Sequence, residues 1–518
     1  MKRLFCGSFL AAVLVTSPAV ADTLDAEALY AENCAECHGA DRLGGMGPAL
    51  LPENLKRVRK KAAHSVIANG RPATQMPGYG DKLDSAQIDA LIAMIYTPLP
   101  ELPRWGLEEI NATRIQHVAP ASLPDAPLHK ADPLNLFVVV EGGDHHVTIL
   151  DGDRFEPLVR FPSPFALHGG AKFSPDGRFT YLGSRDGWIM KFDLHSLQVV
   201  AEIRAGINTR NIAVSGDGRY VAVANYLPHN LVILDTADLK PIKIIPIKSL
   251  QGKSSRVSAV YTANPRNSFV VALKDVPEMW EVSYEDDPPA RFAGFVHSFE
   301  KGHEEGTEAG QFPVRRIELS GPLDDFFFDQ AYRHVFGASR GGAQAVVVHM
   351  DVGREIAEVP LPGMPHLGSG ITFTYEGRRV LATPHLKEGK VSVIDMKSWE
   401  VVKVIDTEGP GFFMRSHENN PYAWVDVFFG PNREAVHIID KRTLKIVKTL
   451  RPAPGKTAAH IEYTKDGRYA LLSIWDMDGA VIVYDMETLE EVKRIPFVKP
   501  VGKYNVWNKI TRSEGTSH

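Results

Sequence analysis

An apolar run ending in aspartate recurs along most of this chain. It appears as Val147-Thr-Ile-Leu-Asp151, Met190-Lys-Phe-Asp193, Val232-Ile-Leu-Asp235, Val346-Val-Val-His-Met-Asp351, Val391-Ser-Val-Ile-Asp395, Val436-His-Ile-Ile-Asp440 and Val481-Ile-Val-Tyr-Asp485. Successive aspartates stand 42, 42, 116, 44, 45 and 45 residues apart. A tight-turn marker falls between several of them: Ser174-Pro-Asp-Gly177-Arg, Ser215-Gly-Asp-Gly218-Arg, Tyr375-Glu-Gly377-Arg and Thr464-Lys-Asp-Gly467-Arg. β-Branched runs flanking such turns read as strands joined by hairpins. A period of about 40–45 residues, with four short strands per unit, predicts a β-propeller over 134–508. The long interval has room for one degenerate unit, at Trp280-Glu-Val-Ser-Tyr284, and an insertion. Eight blades are expected, with seven as the alternative. The polar, Gly-rich stretch around His303 and Glu304 reads as a long surface loop rather than a metal site.

The first 21 residues read differently. Met1-Lys2-Arg3 is basic, Leu4 to Val15 is mostly apolar, and Pro18-Ala-Val-Ala21 ends in a small-x-small pattern. This is the pattern of a cleaved export signal, too short to span a bilayer. It places the chain in the periplasm if the source is bacterial. The chain as a whole has ordinary globular composition, 44% apolar and 23% charged, which excludes a disordered or fibrous protein. A net charge of −5 gives no support for nucleic-acid binding.

Of three cysteines, Cys6 leaves with the signal, and the others stand in Cys34-Ala-Glu-Cys37-His38. An exported pair of cysteines can form a disulfide, but the adjacent histidine changes the reading. C-x-x-C-H is the attachment pattern of a covalent c-type haem: two thiols one helical turn apart add to the vinyl groups, and His38 reaches the iron. The second axial ligand is expected at Met76, in Gln75-Met-Pro-Gly-Tyr79, with Met46 as its rival. Thioether ligation raises the potential and suits electron transfer. A helix is expected from Asp25 to Cys34, and another from Ala86 to Tyr96 capped by Ser85, with Ile88, Leu91, Ile92 and Ile95 on one face. A small helical cytochrome domain therefore covers 22–97. The proline-dense segment 98–133 reads as a linker without regular helix or central strand. A polar tail follows at 509–518.

An all-α cytochrome domain ahead of an eight-bladed propeller resembles cytochrome cd1 nitrite reductase and its relatives in haem d1 biosynthesis. The resemblance covers nearly the whole exported chain. It is carried by Arg104-Trp-Gly106, Leu136-Phe-Val, Phe165-Ala-Leu-His168, Met364-Pro-His366-Leu-Gly-Ser-Gly and Gly502-Lys-Tyr504-Asn-Val-Trp507-Asn. It implies that His168 is the proximal ligand of a second, non-covalent d1-type haem and that His366 lies on its distal side. The reductases use two distal histidines to protonate nitrite. The second should fall in Gly321-Pro-Leu-Asp324-Asp-Phe-Phe-Phe328, where this chain has no histidine and Asp324 takes the place. The N-terminal arm of the reductases also has no expected counterpart.

A sister group, the dihydro-haem d1 dehydrogenases, is similar at Lys456-Thr-Ala-Ala-His460-Ile-Glu-Tyr463 and Lys503-Tyr504-Asn505. Membership implies oxidation of a propionate of dihydro-haem d1 to an acrylate in the last step of haem d1 biosynthesis. His460 is the candidate base and Tyr504 the candidate propionate or proton-relay group. Arg185, Arg210 and Arg256, at roughly equivalent phases of successive blades, are candidate carboxylate clamps. Cofactors are then one haem c plus the d1-type haem, with a small periplasmic electron acceptor and the nitrite reductase as recipient partners. The alternatives are the reductase itself, a non-catalytic haem d1 carrier, and a propeller oxidase for another substrate. His385 and His417 are weaker candidates, and His145, His146, His195 and His229 have no motif support.

Overall fold

The computed structural model describes residues 24–45, 47–55, 58–70, 76–101, 104–288, 291–292, 307–308, 310–339, 344–361 and 363–511. The expected signal segment, Met46, residues 71–75, His303 and Glu304 lie outside them.

Among the described residues the repeat becomes eight blades, each a four-stranded antiparallel core sheet, in a β-propeller. In chain order they span 136–162, 172–204, 208–246, 257–318, 325–360, 371–406, 414–450 and 458–497. The strand Pro500–Asn505 pairs with Leu136–Glu141, so the end of the chain supplies the innermost strand of blade 1 and closes the ring. Closure leaves no long free sheet edge at that seam. Neighbouring blades share apolar layers. Ile189 and Ile203 of blade 2 pack with Ile212, Val221 and Val223 of blade 3, all fully buried. Each such side chain contributes about 1.5–3 kcal/mol relative to exposure.

The recurring aspartate closes the hairpin between third and fourth strands. The Asp151 carboxylate accepts the backbone N–H groups of Asp153 and Arg154, at 2.8 and 3.2 Å. Asp395 and Asp485 accept the equivalent pairs. Two or three residues of chain are thus reversed by a side chain acting as a turn. In blade 4 the third strand, Glu278–Ser283, ends in serine, and an insertion separates it from the fourth strand, Val314–Glu318. That accounts for the long interval between aspartates.

The N-terminal unit is helical: Ala26–Asn33, Ala35–His38, Lys60–Asn69 and Ser85–Ile95. The cap of the last is Asp84 rather than Ser85. Its carboxylate accepts from Gln87 N at 2.8 Å, and the Gln87 side chain accepts from Asp84 N at 2.9 Å. Ser85 thereby becomes the first helical residue. Ile88, Leu91, Ile92 and Ile95 pack with Tyr30, Ala63 and Leu83.

The proline-dense segment holds more regular structure than its composition suggests. Between Pro103 and Pro120 no proline occurs, and there a helix, Leu107–Ala112, and a short strand, Ile115–Gln116, form. The strand adds to the outer edge of blade 2, opposite Ala201 and Glu202. At the other end, the helix Val506–Thr511 runs through residue 508.

Candidate active site

In the helical unit, His38 N and Cys37 N both point back to the Cys34 carbonyl, at 3.0 and 3.2 Å. The two thiols therefore lie one turn apart, and neither is in a disulfide. His38 Nδ1 stands 2.7 Å from the Pro48 carbonyl. A carbonyl can only accept, so the proton sits on Nδ1 and the Nε2 lone pair is left for a metal. Burial lowers the imidazole pKa and keeps it neutral. Gly47 packs so closely that a Cβ there would lie 2.8 Å from His38 Cε1. A covalent haem fits this donor set. The Met76 loop is fastened to the helix Lys60–Asn69 by Tyr79 N to Ile67 O and Gly80 N to Ala68 O, both 2.8 Å.

In the propeller, His168 and His366 are built alike. His168 N donates to Gly183 O and Arg185 N to Ala166 O, at 2.9 and 3.0 Å. His366 N donates to Pro384 O and Leu386 N to Met364 O, at 2.8 and 2.9 Å. Ala166 and Met364, each two residues earlier, have left-handed φ of 48° and 54°. Each ring then places Nδ1 on a carbonyl of the next blade's first segment: Arg210 O at 2.7 Å for His168 and Phe412 O at 2.5 Å for His366. Both imidazoles thus carry their proton on Nδ1, the tautomer whose Nε2 can serve as a ligand, and His168 Nε2 lies 3.3 Å from Arg210 Nη1. They belong to blades 2 and 6, opposite one another in a ring of eight.

Cationic groups flank the His168 side. The Arg210 guanidinium lies 3.2 and 3.3 Å from the His168 ring nitrogens, and its Nε donates to Ser258 O. Arg185, Arg256 and Lys274 surround the Tyr226 ring at 5.7, 5.4 and 5.9 Å. Arg256 is also held by Asp275 in a two-point ion pair, and Lys274 by Asp324. The three arginines do not share one phase. Arg185 follows the second strand of blade 2, Arg210 lies in the first strand of blade 3, and Arg256 precedes the first strand of blade 4. Convergence on Tyr226 and His168, rather than equivalent register, brings them together.

The opposite side is aromatic. Phe412 lies 4.1 Å from the His366 ring and Phe413 lies 4.6 Å from the His460 ring. Phe428, Phe429 and Trp475 extend this wall. Asp426 fastens it: its carboxylate accepts from Phe412 N, Phe413 N and His460 N, at 2.7, 3.1 and 3.3 Å. Burial raises the Asp426 pKa to about 7 against those three donors.

His460 is buried in blade 8 with φ of 57°, where the register of its strand shifts. That conformation costs a non-glycine residue of order 1–3 kcal/mol and marks a site the surroundings over-determine. Its ring stands 5.1 Å from that of Tyr504, and Nδ1 has no hydrogen-bond partner among the described residues. Burial, with Lys503, Arg415 and Lys509 nearby, holds its pKa well below the ordinary value, so the ring is neutral. Burial pushes the Tyr504 hydroxyl up to about 12, which keeps it protonated. Tyr504 also packs on Gly170, where a Cβ would come within 2.9 Å of its ring. The glycine, at φ 76°, lets the His168 loop and Tyr504 approach.

Sequence reasoning missed Asp325, Arg415, Asp426 and the aromatic wall. Asp324 does not occupy the expected place opposite His366, because it is paired with Lys274. Asp325 does: it accepts from Tyr261 Oη at 3.0 Å and from Gly368 N at 2.6 Å, and it acts electrostatically on His366. The doublets Phe412-Phe413 and Phe428-Phe429, each beside glycine, were the available signal. His385 bonds Ser392 Oγ at 2.9 Å, and His417 accepts from Asn419 N at 3.1 Å; both serve local packing.

Comparison with known proteins identifies the family. The family model described as the cytochrome D1 heme domain matches residues 131–300 and 305–509. The model of the cbb3-type cytochrome c oxidase subunit III matches 21–95. A dihydro-heme d1 dehydrogenase of Pseudomonas aeruginosa is 54% identical over 98% of both chains. The nitrite reductase of Stutzerimonas stutzeri is 26% identical, over 93% of this chain and 92% of its own. A solved structure of the dihydro-heme d1 dehydrogenase NirN in complex with DHE superposes with a TM-score of 0.86, at 55% identity, over 94% of this chain and 99% of that one. Among the described residues, no helix is long and apolar enough to cross a membrane.

Proposed function

Because this chain belongs to the cytochrome d1 haem domain family, with a c-type cytochrome domain ahead of the propeller, we propose that it is a dihydro-haem d1 dehydrogenase. The substrate is dihydro-haem d1 and the product haem d1. A CH2–CH2 unit of one propionate becomes CH=CH, with release of two protons and two electrons.

The neutral, buried His460 ring with an unpartnered Nδ1 beside Tyr504 carries this reading. A carrier needs no base in its pocket. His168 and His366 hold the macrocycle iron from opposite blades, and the aromatic wall covers one edge. Arg185 and Arg210 receive side-chain carboxylates as charged donors. Tyr504 Oη, still protonated, donates to the reacting propionate and orients its α- and β-carbons towards His460. His460 Nδ1 accepts a proton from carbon, which contributes roughly 10²–10⁴ in rate for a positioned base. Haem c, when held by Cys34, Cys37, His38 and Met76, would supply a one-electron acceptor, so the two electrons would leave one at a time, each passed on to the soluble acceptor, and the second proton would go to solvent.

Among the described residues Asp325, not a second histidine, stands near His366, which disfavours nitrite reduction. Residues 1–21 as an export signal place the protein in the periplasm, with 22–97 as cytochrome, 98–133 as linker and 134–508 as propeller. A small soluble electron acceptor and the nitrite reductase that receives haem d1 are the proposed partners. The test is anaerobic addition of dihydro-haem d1 to the haem c form, followed by mass analysis of the extracted macrocycle. Loss of two hydrogens with reduction of haem c supports the dehydrogenase. Tight binding with unchanged mass overturns it in favour of a carrier.

A further inference from the structure

We propose that Arg204 is the positioning residue that couples the two iron sites, because its guanidinium joins the loop behind His168 to the loop behind His38 by hydrogen bonds. The inference rests on the reading of a d1-type haem between His168 and His366, but not on its dehydrogenation.

The path runs through named bonds. His168 is tied to the second strand of its blade through Arg185 N to Ala166 O, at 3.0 Å. The next residue, Asp186, presents its carbonyl to Arg204 Nε at 2.8 Å. Arg204 Nη2 donates to the Leu43 carbonyl in the helical unit. Gly44 N, one peptide further, donates to the His38 carbonyl at 2.8 Å. One side chain therefore completes a bonded and hydrogen-bonded route between the histidines expected on each iron. Electron transfer is sensitive to gaps in such routes, since a through-space jump couples donor and acceptor far more weakly than a bond.

The surroundings hold this side chain in place. Arg204 is 6% exposed. The Trp105 ring lies 5.0 Å from the guanidinium, and its indole N–H donates to Arg204 O at 3.2 Å. Thr113 Oγ1 accepts from Arg204 N at 2.9 Å. Leu43, Ala49 and Leu51 pack against Ile207 and Leu227 beside it. A buried guanidinium is costly to desolvate unless its donors are satisfied, and here Nε and Nη2 each meet a backbone carbonyl.

The test uses the full chain with haem c attached and product haem d1 bound. Haem c is reduced by a light pulse, and electron redistribution to haem d1 is followed by absorbance. Arg204→Met is expected to slow redistribution about tenfold or more, as a broken coupling element would, and Arg204→Lys to recover part of the loss. Protease cleavage in 98–133 is measured in parallel on the form without haem d1. Slower transfer with faster cleavage means that Arg204 acts by holding the domains together, and slower transfer with unchanged cleavage means that it acts along the path. Either supports the proposal. Redistribution in both variants at the parent rate overturns it, whatever the cleavage pattern. Because no dehydrogenation occurs, failure of the dehydrogenase assay leaves this measurement interpretable.

Discussion

His168 and His366 are the same residue of the same loop, set four blades apart. Each follows a left-handed residue by two positions, takes its backbone bond from the second strand of its own blade, and rests Nδ1 on a carbonyl of the next. The propeller thus presents two equivalent imidazoles across its axis. Removing either should weaken d1-type haem binding. We expect His168→Ala and His366→Ala each to reduce haem d1 affinity by about 10–100-fold, the range that ligand-environment changes produce at metal sites. Titration by absorbance checks this; an unchanged affinity in His366→Ala would assign the distal side to another residue.

His460 separates chemistry from backbone strain. His460→Ala and His460→Gly should both bind substrate and both lose about 10²–10⁴ in the rate of acrylate formation. They should differ in stability, since φ of 57° is easier for glycine than for alanine. Glycine is expected to be about 1 kcal/mol more stable than alanine at this position. Denaturant unfolding of the two variants reads the difference, and equal midpoints would count against strain at residue 460.

Gly47 supports the haem c histidine by its lack of a side chain. Gly47→Ala puts a methyl group within 2.8 Å of His38 Cε1, so the ring must tilt or retreat. The variant should still attach haem but show a shifted haem c spectrum and a changed potential. A spectrum identical to the parent's would mean that the loop yields instead.

Asp186 gives a pH signature. Burial raises its carboxyl to about 7, with Arg204 opposing. The unfolded chain releases this proton near pH 4, so between pH 5.5 and 7 the folded state holds the extra proton. Stability from this group is present at low pH and lost as pH rises through 7, by about 2 kcal/mol over that interval. Asp186→Asn should lack that loss. The difference in unfolding free energy between variant and parent should therefore grow from pH 5.5 to 7 and then level off. Parallel pH curves would exclude a buried, protonated Asp186.

The blades were legible because their turn chemistry is written in residue types: aspartate at the end of the third strand, and Asp-Gly or Glu-Gly at the hairpin. What stayed hidden is the residue four places after that aspartate. Phe155, Leu197, Leu239, Trp399, Leu444 and Leu489 all adopt φ between 54° and 61°, and none is a glycine or asparagine that would announce it. Likewise His168, His366, His460 and Tyr504 could be named from motifs. Asp426 and Asp325 could not, since an aspartate in an apolar strand says nothing of which neighbouring blade will offer it N–H groups. Asp324 and Asp325 differ in the same hidden way: Asp324, just ahead of the strand, pairs with Lys274, while Asp325, its first residue, accepts from Tyr261 and Gly368.

Ring closure sets an order of events. Pro500–Asn505 joins blade 1 only after the other seven blades exist, and it brings Tyr504 beside His460 and Gly170. A ribosome makes these residues after every other strand of the propeller. A nascent or C-terminally clipped chain can therefore carry every histidine of the site and still have no finished pocket, so the substrate cannot template the fold early. Loading must wait for the strand Pro500–Asn505, and a chain clipped ahead of it never meets its macrocycle with a finished pocket.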